Sequence, residues 1–202
     1  MKKIIVLFFL FLAVNLYSQT TGIGFRLGDL SGISFKKYSS AKAFELSLGR
    51  TYLFIGDHWY YNHFNYWYKK NKFGYREIDY LNYYRETVPL GLQLHFLSQH
   101  TIDKAASEAG KLDWYLGFGG QFRYQSYFFD YRYKVEGDPD WHYVADKHVV
   151  DYDLGADGVV GLEYTFSKAP VSVFLDFTLF MEVIDDPFLF NGQTGLGVRY
   201  NF

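Results

Sequence analysis

Eight charged residues are the first candidates for chemistry: Arg26, Lys36, Glu45, Arg123, Glu163, Asp176, Glu182 and Arg199, each set among small and polar residues in segments where apolar residues recur at every second position. Gathered in one water-poor space, they could make an ion path or a proton relay. Four are cationic and four anionic, and charges withdrawn from water must be paired. The expectation is a mutually neutralising structural network. His95 belongs to the same set and is expected to be a satisfied core histidine rather than a ligand.

Four further histidines, His58, His63, His142 and His148, lie near Asp57, Asp140 and Asp146 and could hold a metal or form an acid–base pair. Neither the His58/His63 spacing nor the six-residue gap from His142 to His148 matches a strong metal motif. The chain has no cysteine, which excludes disulfides, thiolate zinc sites and cysteine nucleophiles. No cofactor and no metal are expected.

A third set is aromatic. Residues 51–86 hold fourteen aromatics in thirty-six positions, around Trp59-Tyr60-Tyr61, Tyr66-Trp67-Tyr68 and Tyr83-Tyr84, with basic and acidic residues interspersed. Disordered segments are aromatic-poor, so this stretch should fold, as a hairpin turning near Lys70-Asn71-Lys72. Residues 128–150, with Trp141, should do likewise, turning at Gly137-Asp138-Pro139-Asp140. Surface aromatics beside charges suit recognition of a glycan, a lipid headgroup or a protein. The competing expectation is that they only pack against each other.

The elements that position these sets are strands. Ile23, Phe25 and Leu27 alternate with Gly24, Arg26 and Gly28; Val88 through Phe96, Trp114 through Tyr124, Leu154 through Phe166, Val171 through Val183 and Leu196 through Phe202 follow the same period of two. Two further runs, around Ile33/Phe35 and Phe44/Leu46/Leu48, make eight strands in all. Ten is the competing count, if part of 51–86 lies level with the others. Connections then alternate between short ones (39–42, 98–111, 167–170) and a set containing 29–31, 51–86, 128–150 and 184–194.

Alternation does not say which face points inward, but glycine does. Twelve glycines, Gly24, Gly119, Gly161, Gly195 and Gly197 among them, fall on the polar face. On a solvated face they would weaken strands for no gain; inside a narrow eight-stranded barrel they make room. The apolar face then points outward, to lipid. Aromatics fall where membrane interfaces would need them: Trp114, Tyr164, Phe166, Tyr200 and Phe202 at one rim, Tyr52, Phe54, Tyr124 and Phe128 at the other.

The chain's start agrees. Met1-Lys2-Lys3 precedes an apolar run from Ile4 to Leu16 broken only by Asn15. Thirteen helical residues rise about 20 Å, short of the ~30 Å hydrocarbon core, so the run reads as a secretory signal peptide, residues 1–18, cleaved near Ser18/Gln19. The remaining 19–202 form one domain. Across all 202 residues, 20 Lys+Arg stand against 22 Asp+Glu, which gives no basic excess for nucleic acid.

The final Gly197-Val198-Arg199-Tyr200-Asn201-Phe202 resembles the C-terminal assembly signal of bacterial outer-membrane barrels, a glycine followed by two spaced aromatics, the last at the chain end. With the leader and eight strands, the mature chain is similar to small Gram-negative outer-membrane barrels of the OmpA/OmpX size class over its whole length. The resemblance implies an all-β, eight-stranded antiparallel up-and-down transmembrane barrel, contact with outer-membrane lipid, and insertion by the barrel-assembly machinery through Tyr200 and Phe202. It carries over no catalytic residue. Some barrels of this size modify lipid A acyl chains with a serine and a histidine near the outer leaflet; here Ser126 is the only serine near that rim, with no histidine at a telling spacing. The expected function is a non-enzymatic surface barrel with a filled lumen and loops for binding or adhesion, ahead of a lipid-modifying enzyme or a small channel.

Overall fold

The computed structural model describes residues 20–51, 57–71, 73–85, 87–103, 108–184 and 187–202, and of 57–60, 62, 63 and 85 the backbone alone. The expected leader 1–18, the rim aromatics Tyr52 and Phe54, and the side chains of Trp59, Tyr60, His58 and His63 lie outside the described residues.

Among the described residues the protein is all-β but for one helix. In chain order the elements are β1 Thr21–Gly28, β2 Ser31–Ser39, β3 Lys42–Arg50, α1 Asp57–Asn71, β4 Glu77–Arg85, β5 Leu90–Thr101, β6 Gly110–Lys134, β7 His142–Phe166, β8 Val171–Ile184 and β9 Phe190–Asn201. Each strand of the series β1-β2-β3-β5-β6-β7-β8-β9 pairs antiparallel with the next, and β9 returns to β1 through Gly22↔Asn201 to Gly28↔Gly195. Eight hydrogen-bonded strands therefore close into a ring. They correspond to the eight segments that the period of two predicts as strands.

Ring closure gives the period its meaning. The apolar set points out of the ring, with Phe25 68% and Phe118 70% exposed and Leu27, Leu175 and Leu196 also exposed. The polar set points in, where Arg26, Lys36, Gln93, Gln121 and Arg199 are buried. Both described chain ends sit at one rim, where the Thr21 N–H donates to the Phe202 carbonyl and the Phe202 N–H to that of Thr21. Trp114, Tyr164, Phe166, Tyr200 and Phe202 also gather there, Tyr164 edge-on to Phe166 at 4.9 Å between ring centres.

The opposite rim is where the structure departs from expectation. The β5 ladder on β6 ends at Leu90↔Tyr124, and the β8 ladder on β7 ends at Leu154↔Ile184. Beyond those points the β6–β7 hairpin leaves the ring and continues to its turn at 135–141, and β4 adds to it from Glu77↔Lys134 to Arg85↔Tyr127. A three-stranded extension stands on the rim, and β4 is a ninth strand outside the ring.

Residues 51–86 are therefore not a hairpin. They contain α1, whose Phe64 is buried against Tyr127, Phe129 and Tyr131 of β6, with Trp67 packed on the same cluster. Phe64, Trp67 and Tyr68 are three and four positions apart, one helical face, and burying that face on the extension overrides the strand preference of aromatic residues. Lys69 and Lys70 in the last turn complement the helix dipole. Gly74, at φ +65°, turns the chain back toward β4. The break near Lys70-Asn71 is real, but it ends a helix.

Candidate functional site

The ring interior brings together all eight charged candidates, each at most 4% exposed. Both terminal nitrogens of Arg26 donate to Asp176, at 2.5 and 2.6 Å, the fork geometry that makes arginine–carboxylate pairs strong. Tyr115 donates to the same carboxylate at 3.2 Å. Arg199 donates to Glu163 at 2.7 Å and also to Glu45, while its Nε bonds Ser34 at 3.1 Å. Lys36 donates to Glu163 at 2.8 Å and Tyr38 to its other oxygen at 2.7 Å. Arg123 stands 3.0 Å from Asp153 and 3.9 Å from Glu182. His95 lies 3.1 Å from Asp157, a carboxylate that Gln93 also reaches. Every strand of the ring contributes, so no sequence-local motif could have contained this set.

Aromatic rings fill what the charges leave. The Arg199 guanidinium lies 3.6 Å over Phe174, that of Arg123 lies 4.1 Å over Phe180, and the Lys36 ammonium is 4.3 Å over Tyr115. Phe174 and Phe180 share the inward positions of Ser172, Asp176 and Thr178 on β8. Sorting by residue type hid them, as it hid Asp153; position in the period of two was the signal. The inward glycines stand opposite these bulky groups. A Cβ at Gly161 would meet Cζ of Tyr115 at 2.4 Å, one at Gly197 would meet Cζ of Phe174 at 2.3 Å, and one at Gly195 would meet Cζ of Arg26 at 2.2 Å.

The aromatic extension divides between packing and display. Trp67 and Tyr68 are half-buried, Tyr68 donating to the Tyr75 carbonyl at 3.3 Å. Tyr75 stacks on Tyr133 at 3.9 Å. Trp141 lies beneath Arg132 and Lys134, at 4.4 and 4.5 Å, and Arg132 also binds Asp79 at 2.6 Å. Tyr61 is exposed and edge-on to Tyr80, and Tyr66 is half-buried. Burial, with Tyr75 beside it, pushes the Tyr131 phenol up to about 12.

Of the remaining histidines, His142 contacts Asp138 at 2.9 Å in the exposed hairpin turn. The Asp140 N–H and His142 hold the Asp138 carboxyl below its usual range. Among the described residues no group of three metal-ligating side chains comes together. His148 is a correction. The β6–β7 register pairs Phe128 with His148 and so sets His148 diagonally from Ser126, with Nε2 2.7 Å from Oγ. Strand pairing, not sequence spacing, makes the contact. Ser126 is enclosed, its N–H donating to Thr87 Oγ1 at 3.1 Å and its carbonyl accepting from the Thr87 N–H at 3.2 Å.

No known family model matches the chain, and no curated protein is similar to it in sequence. Its functional reading rests on its own geometry.

Proposed function

We propose that this chain is an exported eight-stranded β-barrel of a Gram-negative outer membrane, with a filled lumen and an outward-facing head made of α1, β4 and the β6–β7 hairpin that binds a partner at the cell surface. The observation that carries this reading is the inverted polarity of the ring. A contiguous apolar exterior including Phe25, Leu27, Phe118 and Leu175 surrounds an interior of Arg26, Lys36, Glu45 and Arg199. In water both faces would be in the wrong medium; in a bilayer the exterior meets hydrocarbon, and the closed ladder leaves no backbone edge within it. The shorter ring strands, eight residues in β1, nine in β2 and β3 and twelve in β5 and β9, bracket the roughly 9–11 tilted residues a bilayer requires. Tyr200 and Phe202, at the end of the closing strand, fit the role of an assembly signal.

Two measurements test the reading. Fractionation should recover the mature chain with the outer membrane, migrating faster on gels before boiling than after. Recovery as a soluble periplasmic protein would overturn the location. Planar-bilayer recording should show no large, stable conductance, since the interior is occupied by paired charges and rings. A large open-pore conductance would defeat the filled lumen.

The Ser126–His148 contact favours a second reading, an enzyme acting on outer-leaflet lipid esters. A serine hydroxyl bonded to a histidine Nε2 is the nucleophile–base half of an acyl-transfer site. Both residues continue the outward face of Tyr124 and Val150. Mass spectra of lipid A from cells with the native chain and with Ser126→Ala decide it. Identical spectra support the binding reading, and a lost deacylated or acylated species supports the enzyme.

A further inference from the structure

We infer that the cleft between α1 and the unpaired edge of β7 binds an anionic carbohydrate, an inference that rests on the head being an outward-facing binding region. The cleft encloses about 560 Å³, and its lining includes Tyr66, Trp67, Lys70, Lys147, Asp151 and Tyr152. It exists because of the register. Over residues 142–153, β7 is paired with β6 on one edge, but its ladder with β8 starts only at Leu154↔Ile184, so among the described residues no strand covers the other edge. Ile184, the end of β8, forms part of the lining, and the last turn of α1 supplies Lys70 and Asn71.

The chemistry of the lining selects the ligand class. A sugar ring presents C–H groups on its faces and hydroxyls around its edge, so it needs aromatic surfaces and fixed acceptors together. Trp67, Tyr66 and Tyr152 supply the first. Asp151 supplies the second; it is nearly buried, and Gln125 Nε2 holds its carboxylate at 2.9 Å. Gln125, itself 2% exposed, lies outside the lining and fixes that carboxylate in place. A fixed carboxylate acceptor in the lining calls for hydroxyl donors. Two lysines line the same cleft, Lys70 lying 5.7 Å over Tyr66 and Lys147, exposed, on β7 itself. Two ammonium groups in the lining disfavour a cationic ligand and complement a carboxylated or phosphorylated sugar. Ligand pockets commonly span about 300–1,000 Å³, and the volume here is suited to a short oligosaccharide rather than a single ring or a folded protein.

The test uses the purified full chain in detergent micelles, with trigalacturonic acid as the probe and the uncharged galactose trisaccharide and inorganic phosphate as comparators. Binding is followed by tryptophan fluorescence, which Trp67 should report, and by calorimetry. The acidic trisaccharide should bind at least tenfold more tightly than the neutral one, and phosphate only weakly. Lys70→Ala/Lys147→Ala should cost the acidic sugar tenfold or more while leaving the neutral sugar unchanged; Tyr152→Ala should weaken both. Unaltered gel mobility before boiling shows that each variant folds. Equal binding of phosphate, or acid binding indifferent to the two lysines, would overturn the inference. So would absence of sugar binding by a chain that folds and fractionates with the outer membrane, and that result leaves the location standing. Sugar binding by a chain that fractionates as soluble would reject the location and keep the cleft.

Discussion

The ring interior and the rim extension bury their side chains by opposite means. Inside the ring, Arg26, Arg199, Lys36 and their carboxylates fill the space in alternation with Phe174, Phe180 and Tyr115. In the extension, Phe64, Tyr127, Phe129 and Tyr131 make an aromatic cluster, and the ion pairs, such as Arg132 with Asp79, lie at its surface. The difference follows from what holds the walls. A closed ladder of eight strands places each charge's partner across a fixed distance before the side chains are added, so desolvated ions find their counterions at little further entropy cost. The extension is one sheet layer and one helix. Nothing closes it but the apolar contact between them, so that contact must itself be hydrophobic.

The largest expected effect breaks the interior. Arg199→Ala leaves Glu45 and Glu163 buried without their shared cation, and removing one member of such a set typically costs about 3–5 kcal/mol. The loss should appear in urea titrations followed by the gel mobility of the unboiled chain. No change would mean that water reaches the interior freely, and the contrast between the two regions would fail.

Phe64→Ala should be the next largest, about 3–4 kcal/mol for a fully buried ring. Its signature should be regional: protease cleavage within 57–85 at denaturant concentrations where the ring still resists. Loss of the ring together with the head would show the two to be one cooperative unit. Gly161→Ala presses a methyl group on Tyr115 and should cost roughly 1–3 kcal/mol through overpacking. This cost should fall on the ring alone, and limited proteolysis of the head should be unchanged.

Alkali separates the regions without mutation. Tyr131 has a folded pKa raised to about 12, against about 10 in an unfolded chain. Its contribution is whole below the unfolded value and is lost as pH climbs toward the folded one. The near-ultraviolet circular dichroism of the head should therefore fade between about pH 10 and 12, and Tyr131→Phe should delay the fading. The smallest effect is expected at Asp138, whose folded pKa is depressed. Its contribution is present above the usual carboxylate range and lost as pH falls through the folded value, so Asp138→Asn should alter proteolysis of the 135–141 turn under neutral conditions and not in strong acid.

How much was legible differs between the regions for the same reason. In the ring, the strand is its own ruler: a period of two states which residues share a face, and glycine on the polar face states which face is crowded. Arg26, Glu45 and Arg199 could be assigned together from that alone. In the extension the period fails, because a run of aromatics such as Trp59 through Tyr68 is compatible with strand or helix until something is available to bury one side of it. That something is β6 beyond Tyr124, whose Tyr127, Phe129 and Tyr131 lie 63 to 67 residues after Phe64 and so outside any local signal.

The sequence by itself determined the eight strands of the ring, the face each turns inward, and the gathering of paired charges, because these follow from alternation and from the need to neutralise what is buried. Only the tertiary structure decided who meets whom. Arg26 chooses Asp176 and Arg123 stands against Asp153 because ring closure and stagger set which positions lie level. Ser126 touches His148 because of the register between β6 and β7. The cleft beside β7 lies where the described β7–β8 ladder ends, at Leu154↔Ile184, while β7 runs on. Register and relative strand length are properties of pairs of segments, and their free energy is spread over whole ladders, so no single stretch of residues contains them.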